Sequence, residues 1–117
     1  RIWGDAELEA RGAGVLHLLV PALGRVPRAF SWALCALDLH LAPPRELAIV
    51  GPVDAAVARA ALTPFQPRTV VAVGPADDVP LLAGKTLVDG LPAVYVCEGF
   101  ACRAPVTDPS DLTLPID

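Results

Sequence analysis

With 117 residues and a net charge of −4, the chain has room for one domain or one domain plus an appendage. An acidic chain whose single lysine is Lys85 and whose arginines are scattered gains little from neutralising phosphates, so nucleic-acid binding is not expected. The longest apolar stretch, residues 15–23, contains His17 and Pro21 and falls short of the ~20 residues that a membrane span needs.

At this length folding buries roughly 65% of the unfolded surface, enough for a core without disulfides or metals. The hydrophobic fraction of 54% exceeds the ~45–50% of ordinary globular domains. Two readings compete: an Ala- and Pro-rich composition, or apolar faces that meet further protein. The chain begins at Arg1 and contains no Met, so a piece of a larger protein is expected; no basic, apolar leader resembling a signal peptide is read in it. An odd count of three cysteines argues against a secreted disulfide scaffold and for a reducing, cytoplasmic compartment.

Residues 5–20 read as a helix. Asp5 suits the cap, Glu7 and Glu9 suit the positive first turn, and Leu8, Val15, Leu16 and Leu19 give an apolar stripe. Pro21 and Gly24 are expected to break it. A second helix starts at Pro27 and stops at Pro43-Pro44. Along it Phe30, Leu34, Leu37 and Leu41 make one stripe, Ala29, Ala33 and Ala36 a small-residue strip, and Trp32, Cys35 and Leu39 a further side. A helix apolar around most of its circumference expects neighbours on several sides. Joined by a short loop, the two form a helical hairpin.

The period then changes. Residues 47–50 are a short apolar run ending at Gly51, a buried strand. Residues 54–62 are Ala-rich and helical, stopped by Pro64. Residues 69–73 form a second strand, ending at Gly74. Strand, helix, strand with short connections is a βαβ unit with parallel strands. Residues 75–92 hold Pro75, Pro80, Gly84, Gly90 and Pro92 and read as loop, with one helical turn near residues 80–83. A β-hairpin follows over residues 93–106. Asp108 and Pro109 are a helix-start signal. The expected fold class is α/β: a helical hairpin over residues 1–44, then a small α/β domain over residues 45–117 whose βαβ unit and β-hairpin share a mixed sheet of about four strands.

Chemistry-bearing side chains converge in the hairpin. A Gly99-Phe100 turn of type II′ makes Cys97 and Cys102 a close, non-hydrogen-bonded pair on one face, with Cα atoms ~4.5 Å apart, at the lower edge of disulfide geometry. The residues leave three roles open: two buried thiols, a disulfide or redox pair, or half of a metal site. For a metal site only His17 and His40, far away in sequence, could complete the ligand set. The spacing is not Cys-x-x-Cys, and a hairpin offers no helix dipole to lower a thiol pKa.

The other motifs read as structure. Gly51-Pro-Val-Asp54 lacks the glycine spacing of a phosphate loop, and Pro52 removes a donor. Gly84-Lys85-Thr86 lacks the upstream glycine of a P-loop, with Val79 in its place. Asp38 is expected to pair with Arg28 or Arg45, or to line a larger helical assembly. No Ser-His-Asp set and no paired carboxylates can be assembled. No cofactor, no metal and no catalytic residue is assigned.

The run from Leu82 to Pro109 contains Ala83-Gly-Lys-Thr86, Asp89-Gly90, Pro92-Ala-Val-Tyr-Val-Cys97, Phe100, Cys102, Ala104-Pro105-Val106 and Asp108-Pro109. It resembles the extreme C-terminus of the thioredoxin-domain-containing proteins of the spermatogenesis-associated type. The segment from Pro27 through Glu46 to Gly51 is similar to that family's passage from barrel into tail. The resemblance implies three parts in series: a thioredoxin-like domain, a six-hairpin (α/α) barrel of the glycosidase and sugar-epimerase kind, and a C-terminal tail. On this expectation residues 1–44 come from the barrel, and the partner is the rest of the parent chain. The segment is then a non-catalytic structural and interaction module. The alternatives are a redox accessory in which Cys97 and Cys102 exchange with the upstream thioredoxin-like site, and a fragment of a sugar-handling enzyme. Cys97 and Cys102 match the family's C-terminal pair, and no catalytic role transfers with them. The free segment is expected to associate with itself through its apolar helices.

Overall fold

A computed structural model describes residues 2–74 and 79–114. Pro75, among the expected loop residues, lies outside them. The chain divides into two compact units: a helical unit, Asp5–Pro43, and a sheet unit that joins residues 2–4 to residues 44–114.

In the helical unit, helix α1 spans Ala6–Arg25. The Asp5 carboxylate caps it by accepting from the backbone N–H groups of Glu7 and Leu8, at 2.9 and 3.0 Å, which satisfies two of the free donors at the helix start. Contrary to expectation, α1 does not stop before Pro21 but runs through it to Arg25. A proline removes one backbone hydrogen bond from a helix, and here the following turn still folds because it buries Leu23, the most enclosed residue of this unit. A 3-10 turn over Pro27–Phe30 leads into helix α2, Ser31–Leu41, which packs against α1. The half-buried positions are Ala13, Leu16, Leu19 and Ala22 on α1, Phe30 at the end of the 3-10 turn, and Ala33, Leu37 and Leu39 on α2, spaced at close to helical period.

The sheet unit is α/β. Strand β1 is Arg45–Val50, helix α3 is Ala56–Leu62, and strand β2 is Thr69–Val73. The hairpin strands are β3, Ala93–Glu98, and the two-residue β4, Ala101–Cys102. They form one mixed four-stranded sheet in the order β2-β1-β3-β4. Strand β1 is central, parallel to β2 and antiparallel to β3, and α3 makes the βαβ crossover. Because side chains alternate across a strand, β1 serves two cores. Leu47 and Ile49 pack with Val94, Val96 and the Val57, Ala58 and Ala61 face of α3. Ala48, on the opposite face, packs with Ala72, Cys97, Leu81 and Leu82. The helical turn expected near residues 80–83 is present, closed by Leu82 N–H to Val79 C=O at 2.8 Å, and it lays Leu81 and Leu82 over that second face. The helix signal at Asp108 yields only a 3-10 turn, Pro109–Asp111.

Candidate functional site: the Cys97–Cys102 hairpin

Three devices hold the hairpin. Gly99 and Phe100 both have positive φ, 57° and 67°, which marks a type I′ turn rather than the expected II′. A bulky residue in this conformation costs roughly 1–2 kcal/mol. The strain is offset in part because the Phe100 N–H donates to Glu46 Oε2 at 3.3 Å. Beyond the turn, Cys97 faces Cys102, and the Arg103 N–H donates to the Val96 carbonyl at 2.9 Å. Val94 then pairs with Val106 by two backbone bonds, a register one residue out of step with the Cys97–Cys102 pairing. Ala104 and Pro105 therefore oppose the single residue Tyr95, a bulge that seats a proline where the ladder needs no donor.

Cys97 and Cys102 are joined in a disulfide, with Cα atoms 3.9 Å apart. The two sulfurs are in unequal surroundings. Cys97 is 1% exposed, under Ala48, Leu81 and Leu82. Cys102 is half-buried on the outermost strand.

Sequence reasoning missed Glu46. It is 1% exposed and is the one buried charged residue among the described residues. On β1 it is the direct register partner of Cys97 on β3, and directly opposed residues of an antiparallel pair project from the same face. A carboxyl group and a disulfide therefore share one end of the second core. The signal was alternation: in Arg45-Glu-Leu-Ala-Ile-Val50, Glu46 is in phase with Ala48 and Val50, so a strand with two covered faces must bury it.

The remaining candidates do not join this site. His17 is exposed on α1. Asp38 and His40 are exposed on α2, and each has an interaction partner. No group of three or more His, Cys, Asp or Glu side chains able to hold a metal occurs among the described residues. Gly51 closes the turn after β1 against Pro92. Lys85 lies over the Tyr95 ring, 5.9 Å from its centroid, and the Tyr95 hydroxyl donates to the Thr86 carbonyl at 2.8 Å. The Gly84-Lys85-Thr86 segment is thus tied down by an aromatic side chain on β3. Asp108 accepts from the hydroxyl and the backbone N–H of Ser110, at 2.7 and 2.8 Å, and these bonds hold its carboxyl below the ordinary carboxylate value.

Among the described residues no helix is long and apolar enough to cross a membrane. No family model, curated protein or solved structure matches the chain.

Proposed function

We propose that the chain is the non-catalytic C-terminal structural and interaction module of a cytoplasmic, multidomain protein of the thioredoxin-domain-containing, spermatogenesis-associated type. Its partner on this reading is the rest of its parent chain, with Asp5–Pro43 contributed to the (α/α) barrel. The observation that supports the reading best is the surface of the helical unit. Trp32 is 89% exposed, Leu18 82% and Leu41 74%, with Leu8, Val15 and Leu34 also exposed. Large side chains in such number on two helices are what an interface leaves when its partner is absent.

Sedimentation velocity tests this reading. The chain should sediment above its monomer mass in a concentration-dependent way, and the triple variant Leu18→Glu, Trp32→Glu, Leu41→Glu should sediment as a monomer with an unchanged far-UV spectrum. A monomer at every concentration, fully helical, would refute it.

A second reading, the redox accessory, is favoured by the disulfide itself. In a reducing compartment a persistent structural bridge is rare, and disulfides there are mostly catalytic or sensing. Exchange of Cys97 and Cys102 with an upstream thioredoxin-like site gives the bond a purpose in the same parent protein.

A further inference from the structure

The geometry points to a directional dithiol–disulfide exchange site in which Cys102 is the sulfur attacked and Glu46 handles the proton of Cys97. This rests on the redox reading above and adds to it the polarity of the exchange and a participating residue that was not a candidate before.

The polarity follows from access. Thiol–disulfide exchange needs a thiolate to approach one sulfur along the S–S axis, on the side away from the other sulfur. Cys97 is 1% exposed, enclosed by Ala48, Leu81 and Leu82, so an incoming sulfur has no approach to it. Cys102 is half-buried on a two-residue edge strand. When an external dithiol attacks the Cys102 sulfur, a new S–S bond forms there and the Cys97–Cys102 bond breaks. The electron pair leaves on the Cys97 sulfur. The second thiol of the reagent then displaces Cys102 as a thiolate. The protein gains two electrons and the dithiol becomes a disulfide.

The proton follows from burial. A thiolate generated at Cys97 has no water to stabilise it, so its charge must be neutralised on the spot. Neutralising it takes a proton, and Glu46, the one buried acidic residue among the described residues and the cross-strand partner of Cys97, supplies one when it enters the step as the carboxylic acid and leaves it as the carboxylate. In the oxidising direction the Glu46 carboxylate takes the Cys97 proton as that sulfur attacks a mixed disulfide on Cys102. In the reducing direction Glu46 returns the proton. The bond from the Phe100 N–H to Glu46 Oε2 fixes the carboxyl at the hairpin turn, and a glutamine can accept the same bond, so Glu46→Gln changes the proton chemistry while keeping the turn.

The test uses the full chain with the exposed free cysteine removed by Cys35→Ser. Reduced protein is mixed with the aromatic disulfide dithionitrobenzoate in a stopped-flow instrument. Two thionitrobenzoate ions should be released, the first as Cys102 is capped and the second as Cys97 closes the bridge. Cys97→Ser should release one ion at the rate of the first phase, and Cys102→Ser one ion at least ~100-fold more slowly. Glu46→Gln should leave the first phase intact and slow the second by at least ~100-fold, the lower end for loss of a positioned base. Equal rates in the two single-cysteine variants, or a Glu46→Gln effect on both phases or on neither, would overturn the proposal while leaving the redox reading standing. A disulfide that dithiothreitol reduces only after urea unfolds the chain would overturn the redox reading, and the proposal with it.

Discussion

Gly51 and Gly74 offer a matched pair of perturbations. Each glycine directly follows a parallel strand of the same sheet, with φ of 120° and 131°, backbone that residues with a side chain rarely adopt. A Cβ added at Gly74 would meet nothing within 4 Å, whereas one added at Gly51 would lie 2.8 Å from Pro92 Cβ and 3.2 Å from its Cα. Gly74→Ala therefore carries the conformational penalty alone, about 1–3 kcal/mol. Gly51→Ala carries a similar penalty plus an overlap with a rigid ring at the start of β3, another ~1–3 kcal/mol by analogy with overpacked cores. Urea unfolding followed by near-UV circular dichroism compares them. With a slope of about 1–3 kcal/mol per molar, an excess near 2 kcal/mol places the Gly51→Ala midpoint about 1 M below that of Gly74→Ala. In a Pro92→Gly background, which removes the closest atom, most of the excess should vanish. Coincident midpoints, or an excess that survives Pro92→Gly, would refute the argument. The contact matters to the candidate site because Gly51 against Pro92 helps set the register of β1 on β3, and that register places Glu46 opposite Cys97.

Three further outcomes are expected. Replacing both Cys97 and Cys102 by Ala removes a cross-link closing a loop with a sequence separation of 5; so short a loop contributes only about 2 kcal/mol, and the sheet unit should stay folded, as the retention of slow amide exchange on β1 and β3 would show. Tyr95→Phe removes the bond to Thr86, which should cost about 0.5–1.5 kcal/mol and speed amide exchange selectively over residues 79–88. The Asp108 carboxyl is held low by Ser110, so its contribution to stability is complete above the ordinary carboxylate value and is lost as pH falls through its own lower value; a carboxyl NMR titration should place Asp108 below the ordinary value, and Ser110→Ala should move it back toward that value.

The sheet was largely legible in the sequence because its signals are local. Strand β1 holds a short apolar run and β2 is a β-branched one, ending at Gly51 and Gly74, and the Ala-rich segment between them reads as the helix of the crossover. The hairpin was legible from Tyr95 and its Val neighbours running into Gly99. The turn type was not, because it depends on Phe100 accepting a positive φ in exchange for a bond to Glu46, 54 residues away along the chain. A second turn was overlooked although its signal was strong: Asp89 and Gly90 both have positive φ and close the Val88–Leu91 bridge, the Asp-Gly pairing that type I′ turns favour. The extension of α1 through Pro21 was hidden because the burial of Leu23 outweighs one lost hydrogen bond, and burial is a tertiary fact. Glu46 escaped notice for the same reason. A charged residue at the start of a strand reads as a solvated end until both faces of the sheet are known to be covered.

The proposal that this chain is the tail of a larger protein, with its helices shaped to meet the rest, is tested most directly by sequencing the transcript upstream of the Arg1 codon. The account predicts one continuous reading frame encoding a thioredoxin-like domain, then paired helices of an (α/α) barrel, running without interruption into Ala6–Arg25. An initiation codon immediately before Arg1, or an upstream frame encoding neither domain, would contradict it.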